Sequence, residues 1–122
     1  ISIFDNNYVL TENGIKVLNS EVLIYNFETK SFSNKFNNQL KENNIKTATE
    51  GLVDFLNDGS MMVEEQNHGR ILFFNKKGEL EWEFVNKADN GKVYIVTWSR
   101  FIKDENLIES IKNKIKNTTC KN

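Results

Sequence analysis

In the stretch GELEWEF, Leu80, Trp82 and Phe84 alternate strictly with Glu79, Glu81 and Glu83. A period of two predicts a strand with one face covered and the other in water. RILFF (70–74) and KVYIVTW (92–98) are apolar at both phases and rich in β-branched and aromatic residues, which predicts strands covered on both sides. LVDFL (52–56) and SMMVEE (60–65) complete a series of short strands separated by the turn signals NDGS, NHG and NKKGE. Residues 51–85 therefore read as four antiparallel strands, the first three buried and the last half-exposed. A helical period occurs only near the end. KDENLIESIKNKIKN (103–117) places Leu107, Ile108, Ile111 and Ile115 on one face, with Asp104 as N-cap and lysines in the last turn. That stripe is expected to pack on the sheet. NNQLKENN (37–44) is expected to be a polar connection.

The pattern repeats within the chain. EVLIYNFETKSFSNKF (21–36) aligns with RILFFNKKGELEWEF (70–84): apolar residues, an aromatic, Asn26 or Asn75, a turn, then a strand ending at Phe36 or Phe84. SIFDNN and MMVEEQN precede the two copies as equivalent strands. The first copy carries an insertion, NYVLTENGIKVLN (7–19), where the second has only Asn67, His68 and Gly69; an insertion is expected to lie in a loop. A four-stranded meander with a covered interior and a half-exposed outer strand is the layout of one propeller blade. The expected fold is thus all-β: antiparallel meander blades, a fragment of a β-propeller, with a C-terminal α-helix. Its divisions are a partial blade with the inserted loop (1–50), a complete blade (51–90), the opening strand of a further blade (91–102) and the helix and tail (103–122). The strand-like opening ISIF, with Ile1 in first place, suggests a piece of a longer protein. Incomplete blades expose strand edges and apolar faces, so self-association is expected.

Composition narrows the function classes. A chain of 122 residues suffices for one core. Sixteen basic and 17 acidic residues are interspersed, for a net charge of −1. Neither a nucleic-acid footprint nor a polybasic membrane patch results, so neither partner is expected. No apolar run reaches the ~20 residues of a membrane span, and no signal pattern is visible at the N-terminus. The lone cysteine, Cys120, lies in a polar tail and reads as a bystander thiol. No spacing of metal ligands, nucleophile elbow or phosphate-cradling loop is present, and no cofactor is expected. Among basic residues, lysine outnumbers arginine 14 to 2, which draws attention to Arg70 and Arg100.

The segment 51–100 resembles a blade of the arylsulfotransferase-like β-propeller family, in its closing blades. The residues that carry the resemblance are Asp58-Gly59, Gly69-Arg70-Ile71, Gly78-Glu79, Trp82-Glu83, Val85-Asn86 and the run Trp98-Ser99-Arg100. Residues 1–36 join it only through the internal repeat. The resemblance implies sulfuryl transfer from an aryl sulfate to a phenol through a transient sulfohistidine, and a periplasmic or secreted location. Histidine suits that chemistry because neutral imidazole is nucleophilic near neutral pH, and arginine suits the negative charge on the transferring group. The family's histidines sit in contexts unlike VEEQNHGR (63–70), so the catalytic residues are not assigned within this chain, which is expected to be inactive alone. The alternative is a non-catalytic propeller serving as a binding scaffold.

The candidate substrate-contacting residues are Arg70, Arg100, His68, Asn67 and Ser99, for an aryl sulfate or another small anionic aromatic. His68, between Asn67 and Gly69, reads first as a hairpin-turn residue and second as a substrate contact. Glu64 and Glu65 point to opposite faces of one strand and cannot form a carboxylate dyad. For each arginine, the anion contact competes with an internal Arg–Glu pair that locks neighbouring strands. Trp82 and Trp98 are expected to be core aromatics.

Overall fold

A computed structural model describes residues 1–118. The chain forms antiparallel sheets in two successive units and ends in a helix. The first unit contains β1 (Ser2–Asp5), β4 (Glu21–Asn26) and β5 (Ser31–Asn34) in the order β1-β4-β5, with a separate hairpin of β2 (Tyr8–Thr11) and β3 (Gly14–Val17) inserted after β1. The second is a four-stranded meander, β6 (Leu52–Phe55), β7 (Met61–Glu65), β8 (Arg70–Phe74) and β9 (Leu80–Val85), in chain order. The described residues also form two α-helices, α1 (Asn37–Glu42) and α2 (Glu105–Lys116).

The internal repeat is visible strand by strand. Asp5 faces Glu21 at the end of the β1–β4 pair as Glu65 faces Arg70 at the end of β7–β8. Asn26 and Asn75 then occupy equivalent turns: Asn26 Oδ1 accepts from the amides of Glu28 and Thr29, and Asn75 Oδ1 from those of Lys77 and Glu79. An asparagine side chain that mimics a backbone turn is the physical reason both copies keep it. The equivalence leaves one difference. Nothing in the first sheet corresponds to β6, so β1 is an edge where β7 is internal.

The two sheets share one core. Val22 and its neighbours Phe4 and Ile24 from the first sheet meet Val53, Phe55, Met61, Val63, Leu72 and Phe74 from the second. The repeat-equivalent strands bury opposite phases: Val22 and Ile24 in β4, but Leu72 and Phe74 in β8, each one residue out of step. Stacking one sheet on the next requires this, because the facing surfaces are opposite faces of the repeated unit. Leu72 and Phe74 are fully buried, each worth on the order of 1.5–3 kcal/mol. Gly51 allows the close approach, since a Cβ there would lie 2.2 Å from the Phe4 ring.

Several expectations are corrected. The insertion 7–19 is no loop but the hairpin β2–β3, in which Thr11 faces Gly14 across Glu12-Asn13 and Gly14 takes φ +110°. Residues 37–44 contain α1, whose Leu40 joins Phe36 and Ile45 in the core; the i, i+4 spacing of Phe36 and Leu40 inside a polar stretch was the missed signal. Residues 92–98 form no strand beyond the single bridge Lys87–Val93, because a strand needs a neighbour to receive its ladder. Strand β9 is exposed at both phases except at Val85, and Trp82 stays 43% exposed, stacked only on Phe73. Trp98 is 78% exposed rather than core.

The helix α2 forms where expected, with Asp104 Oδ1 accepting from the Leu107 amide at 3.0 Å. None of its residues is buried, and of its apolar stripe only Ile108 is half-buried. Cys120 lies outside the described residues.

Candidate functional site

The adjacent carboxylates of Glu64 and Glu65 organise the chemistry, one on each face of β7. Both are almost entirely inaccessible, and a buried carboxylate persists only when its lone pairs are met. The signal in the sequence is the placement of two carboxylates at the end of an otherwise apolar strand.

Glu65 collects three partners at the β7–β8 turn. Its Oε2 accepts from Arg70 Nε at 2.5 Å, with Nη2 at the same distance. Its Oε1 accepts from the Lys46 amide at 2.5 Å and lies 3.0 Å from His68 Nδ1. Arg70 continues outward, donating from Nη1 to Glu83 Oε1 at 3.0 Å and from Nη2 to the Asn43 carbonyl at 3.2 Å. The guanidinium therefore ties β7, β8 and β9 to the connection after α1.

The turn itself is a single 3-10 turn, Gln66–His68, closed by Gly69 at φ +59°. Glycine is needed there twice over, for the left-handed backbone and because a Cβ would lie 2.0 Å from the Tyr94 carbonyl. Asn67 is exposed but turns its Oδ1 back onto the preceding connection, accepting from Thr47 Oγ1 at 2.6 Å and the Ala48 amide at 3.0 Å. The Thr47 hydroxyl also contacts the Glu50 carbonyl closely. His68 is outermost, its side chain 58% exposed.

Glu64 holds a different segment. Its Oε1 and Oε2 accept from the amides of Trp98 and Ser99 at 3.1 and 2.6 Å. This pins the chain across the outer face of the second sheet, where Phe101 packs edge-on against Phe73 at 5.6 Å. Trp98 adopts φ +62° at the anchor. Arg100 donates from Nη1 to the Ser99 carbonyl at 2.8 Å and stands 5.4 Å from the Trp98 ring centroid.

Beside this anchor is a cavity of about 380 Å³, lined among others by Phe4, Gly51, Glu64, Gln66, Trp98 and Arg100. Gln66 Oε1 is buried without a hydrogen-bond partner. The candidate residues thus fall into two groups. His68 and Arg70 contact Glu65, with Asn67 in the same turn bonded to Thr47 and Ala48, and Ser99 and Arg100 lie at Glu64. Of the five, Arg100 alone lines the cavity; Glu64, Gln66 and Trp98 line it without having been candidates. Among the described residues, no group of three or more His, Cys, Asp or Glu side chains could hold a metal ion. No described helix is long and apolar enough to cross a membrane.

Comparison with known proteins yields one family. Neither the curated proteins nor the solved structures contain a significant match. The family model described as arylsulfotransferase (ASST) matches residues 1–87. It covers both repeat units, including the first, which the internal repeat alone had linked, and it stops before Trp98-Ser99-Arg100. With the larger part of its length matched, and with both stacked repeats inside the match, the chain belongs to the arylsulfotransferase (ASST) family.

Proposed function

We propose that the chain is the C-terminal piece of an arylsulfotransferase-like β-propeller, two stacked blades of a ring that transfers a sulfuryl group from an aryl sulfate to a phenol. The observation that carries this reading is the family match over 1–87, laid on two repeat units that bury opposite phases against each other. A sheet repeated in this way continues by adding further copies to its uncovered faces. In the reaction, a histidine nitrogen attacks sulfur and the aryl oxygen leaves with the S–O bonding pair. The acceptor phenol then takes the sulfuryl group from nitrogen, its proton passing to the departing phenolate. Our reading places that nucleophile on blades outside this chain, so the chain alone is inactive and supplies the rim of a substrate site. Arg100 is the residue assigned to the anionic group, because it alone of the candidates lines the cavity.

A second reading, a binding scaffold without catalysis, is supported by the internal engagement of Arg70 and Asn67, whose polar groups already face Glu65, Glu83, Asn43, Thr47 and Ala48. The test is turnover of a chromogenic aryl sulfate with a phenol acceptor, by the longest natural form of the protein and by these 122 residues. Sulfuryl transfer by the long form and none by the short one is expected. No transfer by the long form sinks the enzyme reading in favour of the scaffold. Unchanged kcat/KM in its Arg100→Ala and His68→Ala variants removes these residues from the substrate site.

A further inference from the structure

Most polar groups around the cavity beside Glu64 already have partners within the chain. Asn6 Nδ2 donates to the Thr49 carbonyl at 2.6 Å, and the Thr49 hydroxyl accepts from Asn67 Nδ2 at 3.4 Å. Both oxygens of Glu64 hold the Trp98 and Ser99 amides, and Arg100 Nη1 donates to the Ser99 carbonyl. Gln66 is the exception. It is only 8% exposed, and its Oε1 is buried with no hydrogen-bond partner. An acceptor in that state carries its full desolvation cost. The terminal torsion of a glutamine is broad, so the carboxamide can present its oxygen to a ligand in the cavity that Gln66 lines.

The rest of the lining limits what that acceptor can meet. Phe4 and Trp98 add aromatic surface and Leu52 aliphatic surface, which suits a flat apolar body. Arg100 has more N–H donors than its one bond to the Ser99 carbonyl uses, and those donors suit an anionic group. A volume of about 380 Å³ lies near the small end of ligand pockets, roughly 300–1,000 Å³. One aromatic ring with its substituents is the size that follows.

We propose that the aryl sulfate taken by this cavity carries a hydroxyl on its ring, which donates to Gln66 Oε1 while Arg100 holds the sulfate. The inference rests on the aryl-sulfate reading above and adds a specificity-determining residue to it; Gln66 selects among aryl sulfates and takes no part in the transfer itself. A ring without the hydroxyl leaves the buried acceptor unpaired. So does a methyl ether, which offers an acceptor and no donor. Glu64 sets the orientation, because its carboxylate in the same lining repels a sulfate placed beside Gln66. The discrimination is that of one net hydrogen bond, roughly three- to tenfold in affinity.

The test is a heteronuclear NMR titration of the 122-residue chain with para-hydroxyphenyl sulfate, phenyl sulfate and para-methoxyphenyl sulfate. The hydroxyl compound is expected to bind more tightly than either of the others by roughly three- to tenfold, with saturable shifts at the side-chain resonances of Gln66 and Trp98. Gln66→Leu is expected to abolish the preference and leave the affinity for phenyl sulfate in place. Its melting temperature should equal or exceed that of wild type, because a buried unpaired acceptor is removed. If Gln66→Leu fails to fold, the three ligands on the wild-type chain decide. Equal affinity for all three, binding of none, or a preference that survives a folded Gln66→Leu overturns the proposal. Turnover by the longest natural form together with equal binding here refutes this inference alone. The stated preference without turnover supports it and refutes the enzyme reading alone.

Discussion

Replacing Arg70 with alanine tests the ion-pair lock that joins β7, β8 and β9. The substitution removes the only guanidinium in contact with Glu65, a carboxylate with a fully buried side chain, while the arginine itself is 23% exposed. The Lys46 amide and His68 would remain on Oε1, but Oε2 would lose both of its nitrogen contacts. Breaking a buried pair from one side costs about 3–5 kcal/mol. The half-exposed contact with Glu83 adds ~0–1 kcal/mol. A chain of this length has roughly 6–18 kcal/mol of stability in all, so the loss is a large fraction of it. With a urea m-value of ~2 kcal/mol/M, the unfolding midpoint should fall by roughly 2 M at constant m. Adding Glu65→Gln to Arg70→Ala should restore much of the loss, because the uncompensated charge is gone. A midpoint shift below ~0.5 M for Arg70→Ala would mean that water reaches Glu65, and the account of the strand lock would be wrong.

Asn67→Ala should lower stability by ~0.5–1.5 kcal/mol, because the Ala48 amide loses its acceptor and the Thr47 hydroxyl keeps only the Glu50 carbonyl; a thermal melt within about a degree of wild type would contradict the bridging role assigned to Asn67. At the β6–β7 turn, the Ser60 hydroxyl and amide hold the Asp58 carboxyl below its ordinary value of 3.8. A lowered folded-state pKa stabilises above the unfolded value, and the contribution is lost as pH falls through the folded one. A carboxyl chemical-shift titration should therefore find Asp58 titrating below pH 3.8, and Ser60→Ala should move it upward; no movement would remove the hydroxyl as the cause.

Much of the second unit was legible in the sequence because its strands carry local signals. Alternation, β-branched runs and the turns at Asp58-Gly59, Asn67-His68-Gly69 and Asn75 to Gly78 placed β6 to β9 within a residue or two of where they lie. Asn26 and Asn75 marked the repeat correctly because an Asx turn needs only its own few residues. The pair of Glu65 with Arg70 was open to inspection in the same way, as one of two readings of that arginine, since the two residues flank a short turn and face each other across the ladder. The substrate contacts proposed for the five candidate residues stand as proposals, and Arg100 lies beyond the matched family region.

The sequence by itself determined the all-β class, the order of β6 to β9, the repeat, the helix with its Asp104 cap and the family, since each depends on residues close together in the chain or on a motif. Tertiary structure alone decided which faces are covered. KVYIVTW carries the composition of a strand covered on both sides and GELEWEF that of a strand covered on one, but burial is supplied by a neighbour and not by the strand. With no sheet laid over them, Trp82 and Trp98 remain at the surface. Conversely, α1 looks polar in sequence, and only the approach of the two sheets turns Phe36, Leu40 and Ile45 into core. The same holds for Glu64: its position on the strand was plain, but its attachment to Trp98 and Ser99 spans more than thirty residues, a distance over which no local pattern carries information.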